Sequence, residues 1–186
     1  MLKTKQRIIV SVLLILSSVA SFSYWKEQQV IKALNEGLPE GVRIEKSLMG
    51  NYKIINEINN YTFEAPNTYK GIEEIKYLTE KEGGDYKFSS INIKGKTPEN
   101  GVIAVVKFES KPDMDLTTQA RLFFETFDLN GDFTEDKIND IDIVIDKNNP
   151  RLMGIDASFF QKGNYTYLIT CGSEDFIKEV ILNGEW

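Results

Sequence analysis

Apolar and polar residues alternate along most of the chain, which is the period of half-buried β-strands. The alternation is clear at Tyr61–Ala65 and returns around Ile72–Leu78 and Tyr86–Ile93. Gly101–Phe108 is almost continuously apolar and β-branched, so it is predicted to be a central strand buried on both faces. Val42 and Ile44 give a weaker strand signal. Further strands are predicted at Phe133–Ile138, Ile141–Asp146, Leu152–Phe160 and Tyr165–Cys171.

Three segments have helical periodicity instead. A short helix is predicted at Lys26–Glu36. A second begins at Leu116, capped by Asp113 or Asp115, and ends at Asn130-Gly131. A third follows Ser173, which can cap it, and ends at Asn183-Gly184. Strands dominate and their connections are hairpin-sized, so the fold class is α+β: a mostly antiparallel sheet covered by amphipathic helices, with an N-terminal apolar helix.

The N-terminus has the pattern of an export signal. Lys3, Lys5 and Arg7 precede Ile8–Trp25, which contains no charged residue. Eighteen residues are just enough to span a bilayer as a helix, with Tyr24 and Trp25 at the outer interface. Ser18-Val19-Ala20 would equally suit cleavage of a secretory signal. The sequence favours a single-pass anchor with an extracytoplasmic C-terminal domain; secretion after cleavage is the alternative.

The net charge of −6 over 186 residues is distributed unevenly between the N-terminal segment and the remainder of the chain. Residues 1–25 hold three of the 22 basic residues and none of the 28 acidic ones, so the remainder has a net charge of −9. That balance argues against nucleic acid as a partner. We expect an anchor or signal at residues 1–25, a short helix and connecting segment at 26–60, with no element predicted for Gly50–Asn60, and one α+β domain at 61–186.

Tyr61–Leu182 resembles the PsbP-like superfamily of small α+β domains, which includes the PsbP protein of photosystem II, Mog-type factors and bacterial DcrB- and LpqN-like envelope proteins. The resemblance rests on Tyr61-Thr62-Phe63-Glu64-Ala65-Pro66 with Tyr69 after it, on the helix Leu116–Phe127, and on the turn leading into Tyr165–Thr170. The chain also resembles uncharacterised membrane-anchored bacterial proteins. The resemblance implies binding or assembly without catalysis, and it supplies no catalytic residue.

Two groups of residues are candidates for binding. Asp128, Asn130 and Asp132 have the spacing of the first three ligands of a calcium loop, but Phe133 and Asn139 stand where Gly and Glu are needed. A solvated Asn-Gly turn is therefore favoured over calcium, and no other cofactor is expected. The second group is aromatic, and its members are Tyr61, Phe63, Tyr69 and Tyr77. These residues could line a ligand groove or a partner surface, but packing in the core and across strands is favoured.

The sequence offers little for catalysis. It contains no histidine and one cysteine, Cys171, which is expected to be a buried structural thiol. Asp140, Asp142 and Asp146 share one face of a strand, with Asp136 nearby, and are expected to be solvated rather than to form a reactive pair. The sequence therefore predicts a membrane-tethered or exported domain that is not an enzyme and binds an unidentified protein. A small-molecule- or calcium-binding module is the alternative.

Overall fold

The computed structural model describes residues 22–47, 50–66, 71–83, 86–96, 102–152 and 155–186. The chain divides into two compact units, the first ending at Gly37 and the second spanning Leu38–Trp186. In the first unit residues 22–35 form helix α1, so the predicted helix at Lys26–Glu36 is confirmed. Most of the predicted apolar span, Ile8–Trp25, lies outside the described residues. None of the helices in the described ranges is both long enough and apolar enough to cross a membrane.

The second unit begins with a three-stranded antiparallel sheet, here called the small sheet. Its strands are β1 (Val42–Lys46), β2 (Tyr52–Asn56) and β3 (Tyr61–Glu64), in that order. The Gly50–Asn60 segment, for which no element was predicted, therefore contains a strand. The turn between β2 and β3 is closed by the Asn56 side chain, whose Oδ1 accepts a hydrogen bond of 3.0 Å from the backbone N–H of Asn59.

The remaining strands form one seven-stranded sheet, here called the large sheet, in which every pairing is antiparallel. This confirms the predicted class, α+β with a mostly antiparallel sheet. The strand order is β4-β5-β6-β10-β9-β8-β7. The strands are β4 (Ile72–Gly83), β5 (Tyr86–Gly95), β6 (Val102–Glu109), β7 (Phe133–Ile138), β8 (Ile141–Asn149), β9 (Ile155–Lys162) and β10 (Tyr165–Cys171).

The prediction for Gly101–Phe108 was wrong in one respect. Strand β6 is buried mainly on one face, where Ile103 and Val105 are inaccessible, whereas Val102 on the other face is 36% exposed. The reason is topological, because β10 takes the centre of the large sheet and β6 is displaced toward the β4 edge. A β-branched run is thus compatible with a strand that has only one fully covered face.

Helix α2 (Leu116–Thr126) covers part of one face of the large sheet. Asp115 is its N-cap, with Oδ1 2.8 Å from the backbone N of Thr118. The helix ends at Thr126, earlier than predicted, because the chain turns at Phe127 and Asp128 has a positive φ of 54°. Rings fill the interface, and Phe123 stacks on Phe108 of β6 at 4.5 Å between centroids.

Helix α3 (Glu174–Leu182) lies on the opposite face, where it contacts β9, β10 and β3. Ser173 is its N-cap and Asn183 its C-cap, as predicted. The chain then returns to the small sheet, because Glu185 forms a β-bridge to Thr62 with both backbone hydrogen bonds at 2.8 Å. One aromatic cluster joins Trp186, the small sheet and the large sheet; we call it the aromatic clamp, and its members are Tyr61, Phe63, Phe160, Tyr167 and Trp186.

Replacing Trp186 by alanine should lower the free energy of unfolding by about 3 kcal/mol, because four ring contacts between the two sheets are lost with one side chain. The matched control is Trp25→Ala, since Trp25 in α1 is 56% exposed and should change stability by less than about 0.5 kcal/mol. Urea unfolding followed by far-ultraviolet circular dichroism measures both. Equal effects of the two substitutions would contradict this role for Trp186.

Candidate functional site

The structure separates the aromatic residues that the sequence groups together. Tyr61 and Phe63 belong to the aromatic clamp and are 3% and 0% exposed. Burial raises the pKa of the Tyr61 phenol far above its usual range. Tyr77 lies elsewhere, half-buried on β4, and Tyr69 lies outside the described residues. The four residues therefore do not form one described surface: Tyr77 lines a groove on the large sheet, whereas Tyr61 borders a smaller cavity beside Trp186.

That groove, here called the tyrosine groove, has a volume of about 420 Å³. It crosses β4, β5, β6 and β10 of the large sheet beside the β2–β3 turn of the small sheet. Its wall is formed by Ile58 and Asn59 of that turn, and Ile58 is 51% exposed. The side chains that define it on the large sheet are Tyr77, Lys87, Ser89, Lys107, Glu109 and Tyr165.

Asn59 connects the β2–β3 turn, which forms the wall of the tyrosine groove, to side chains of the large sheet. Its Nδ2 donates a hydrogen bond of 2.9 Å to the Tyr77 hydroxyl, and its carbonyl oxygen accepts one of 2.6 Å from Lys107 Nζ. Its own backbone N–H is held by Asn56, so all three contacts restrain one turn. The next residue, Asn60, has a φ of 53°, a left-handed conformation that asparagine tolerates better than most residues.

Lys107 provides the positive charge in the centre of the groove. Its ammonium lies 3.8 Å from the centroid of the Tyr165 ring and 5.8 Å from that of Tyr167, within the range of cation–π attraction. Burial lowers the pKa of Lys107. No carboxylate of the described residues lies within ion-pair distance of its Nζ. Among the described residues, the contacts of this charge are a carbonyl oxygen and two aromatic rings.

A second cavity, of about 410 Å³, lies at the β9–β10 hairpin. It shares Glu109 and Tyr165 with the tyrosine groove and is lined mainly by polar groups of Ser110, Gln161 and Asn164. Gln119 of α2 supports this end from beneath the sheet, because its Oε1 accepts a hydrogen bond from Thr166 Oγ1 and one from the Lys111 N–H.

A third cavity, of about 290 Å³, lies between the β2–β3 turn and Trp186. Asn56 borders it but is wholly buried, and its Nδ2 has no hydrogen-bond acceptor with acceptable geometry among the described residues. Its interaction with the Tyr61 hydroxyl opposes the rise in the Tyr61 pKa that burial causes.

The candidate calcium residues occupy an exposed loop between α2 and β7. Asp128, Asn130 and Asp132 are all exposed there. The loop is held through its backbone: Asp146 Oδ1 accepts from the Asp132 N–H at 3.0 Å, and Asn149 Nδ2 donates to the Asn130 carbonyl at 2.8 Å. Within the described ranges, no three acidic, histidine or cysteine side chains are grouped as metal ligands would be.

The expectation that Asp146 is solvated, like the other acids on its face of the strand, was wrong. Asp146 is 2% exposed, because Phe133 and the α2–β7 loop cover its end of β8, while Asp142 on the same face is exposed. Its second oxygen accepts from Asn149 Nδ2. A buried carboxylate with these partners anchors a loop, and the period-2 pattern could not reveal it because the covering loop lies outside the strand.

Cys171 is buried and unpaired with another cysteine, as expected of a structural thiol. Burial raises its pKa to about 12, so it is protonated at neutral pH and is a poor nucleophile.

Lys107, Tyr165 and Asn59 were not predicted from the sequence as residues of a groove. One signal was available, because Lys107 is the single charged residue within Gly101–Phe108. The positions of Asn59 and Tyr165 depend on how the small sheet packs, which no local pattern encodes.

No protein-family model, curated protein or solved structure matches this chain.

Replacing Asp146 by alanine should cost about 2 kcal/mol of stability, because the Asp132 N–H and the Asn149 amide lose their buried acceptor. The control is Asp142→Ala, which removes the same group from an exposed position paired only with Lys137 and should cost less than about 0.5 kcal/mol. Urea denaturation compares the two. A similar loss in both variants would show that the buried acceptor is unimportant.

Proposed function

We propose that this chain is a membrane-tethered, extracytoplasmic domain without catalytic activity, comparable to PsbP-like envelope domains, and that it binds a protein partner in the tyrosine groove. The observation that carries the binding role is the combination of Tyr77, Lys107 and Tyr165 in one open groove of about 420 Å³. Tyrosine offers a large, rigid contact surface at a small cost in side-chain entropy, and such residues are enriched where proteins bind partners.

The fixed wall supports the same role. Because Asn59 is bonded to both Tyr77 and Lys107, the groove is formed before any partner arrives. A preformed surface loses less conformational freedom on association, which leaves more of the contact energy as affinity.

The first unit supports the tether. Phe22, Tyr24 and Trp25 are all largely exposed at the start of α1, directly after an apolar run that follows three basic residues. Aromatic rings with exposed apolar surface are favoured at the membrane interface, and the basic residues favour a cytoplasmic N-terminus. The large negative charge of residues 26–186 is compatible with a soluble extracytoplasmic portion.

A small-molecule ligand in the same groove is the second candidate, because a volume of about 420 Å³ lies within the range of ligand pockets. The groove crosses four strands, from β4 to β10, which suits an extended chain better than a compact molecule.

Site-specific photo-crosslinking in cells tests the proposal. A benzophenone amino acid placed at position 165 should give one discrete adduct, since Tyr165 is 39% exposed in the groove. The same group at position 182, where Leu182 is 49% exposed on α3, is the matched control and should give none. The adduct should remain in the membrane pellet after an alkaline wash. Equal adducts at both positions, or none at 165, would contradict a partner-binding groove.

A further inference from the structure

We propose that the tyrosine groove takes an extended segment of the partner protein and that an aspartate or glutamate of this segment binds Lys107 between Tyr77 and Tyr165. This inference rests on the proposed partner-binding function and specifies the chemistry of the bound segment.

Lys107 has no carboxylate partner among the described residues. Exposed lysines of this acidic domain pair with carboxylates, as Lys94 does with Glu73 at 2.9 Å and Lys137 with Asp142 at 3.0 Å. Lys107 is more buried than these and has no such partner among the described residues. Burying an ammonium without a counter-charge is costly, and the lowered pKa of Lys107 reflects that cost. A carboxylate of the bound segment would supply the counter-charge and remove this cost.

The Lys107 ammonium has hydrogen-bond donors that its known contacts do not use. An ammonium carries three N–H donors, and Lys107 directs one to the Asn59 carbonyl. The ring of Tyr165 covers another side at 3.8 Å. The ammonium still borders the open groove, so a carboxylate oxygen can be accommodated without breaking the contact that holds the β2–β3 turn.

The shape of the site suits a short extended segment. The groove crosses four strands, from β4 to β10, and strands are spaced about 4.8 Å apart, so the surface is about 14 Å long. An extended peptide rises about 3.3 Å per residue, so about four residues fit. Exposed Ile58 and Tyr165 provide contacts for apolar side chains beside the carboxylate.

The charges around the groove limit the number of acids in the segment. Glu80 and Glu109 also line it, and Lys87 lies within 4.0 Å of both Glu80 and Glu82. A polyanion would meet these carboxylates, whereas a segment with one acid opposite Lys107 would not. The expected occupant is therefore a mainly apolar peptide with a single central acid.

Peptide binding to the full-length protein in detergent tests this directly. The probes are three fluorescent nonapeptide pools, acetylated and amidated at their ends, with Glu, Gln or Lys at the centre and Leu, Val, Tyr, Ser or Gly elsewhere. Fluorescence anisotropy should show the Glu pool binding about tenfold more tightly than the Gln pool, and the Lys pool most weakly. Lys107→Met should reduce the affinity for the Glu pool to that for the Gln pool. Lys107→Arg should retain most of the preference.

The charge-matched control is Lys94→Met, which removes an exposed positive charge of β5 outside the groove and should change nothing. Because Lys107→Met could disturb the Asn59 turn, ¹³C-lysine spectra of the wild-type protein provide a second test. One lysine signal, assigned by its loss in Lys107→Arg, should shift with the Glu pool and not with the Gln pool.

The outcomes separate this inference from the proposed function. Equal binding of the Glu and Gln pools, both lost in Tyr165→Ala, overturns the carboxylate assignment and leaves a partner-binding groove. Saturation of the Lys107 signal by free acetate with no gain from the peptide pools overturns the peptide and indicates a small carboxylate ligand. Absence of binding by every pool overturns the inference outright.

Discussion

The packing of Trp186 against both sheets is the contact on which the rest of the second unit depends. Its ring stacks on Tyr61 and Phe63 of the small sheet and meets Phe160 and Tyr167 of the large sheet edge-on. A three-stranded sheet of short strands is only marginally stable alone. The aromatic clamp gives it an apolar partner, and the bridge between Thr62 and Glu185 occupies the edge of β3.

The groove is a consequence of this docking. When the small sheet is packed in this position, the β2–β3 turn lies beside strands β4 and β6 of the large sheet. There Asn59 forms hydrogen bonds with Tyr77 and Lys107. Apolar packing thus provides the free energy that holds the sheets together, and a few directional hydrogen bonds define the wall. Lys107 departs from what stability alone favours, because a charge has been placed on a half-buried strand position without a carboxylate beside it. Such a conflict between local burial and charge is typical of binding surfaces.

Sequence patterns predicted what depends on neighbouring residues. The final helix with its Ser173 and Asn183 caps, the strand Tyr165–Cys171, and the α+β class follow from local periodicity and capping chemistry. Strand β2 was missed because its alternation is broken: Ile54 and Ile55 are adjacent, and Asn56 is polar although it is buried. Asp146 was misjudged because a distant loop covers it. These errors share a cause, since burial by a segment remote in sequence leaves no mark on the local pattern.

The candidate site shows the same limit more strongly. Tyr77 was among the predicted surface residues, while Tyr61 and Phe63 proved to be core residues of the aromatic clamp. Lys107 could have been noticed as a lone charge in an apolar run, but its relation to Asn59 arises only when the two sheets meet. The candidate site could therefore be predicted only in part.

Native-state hydrogen exchange of the full-length protein tests most directly whether the two sheets form one cooperative unit. The amide of Thr62 donates to Glu185 and that of Ala65 to Tyr52, while Ile169 lies in the central strand β10. If the aromatic clamp unites the sheets, these three amides should exchange with the same free energy of opening, equal to that of global unfolding. Rapid exchange of Thr62 and Ala65 with Ile169 still protected would contradict the account, because the small sheet would then open on its own and the groove would have no fixed wall.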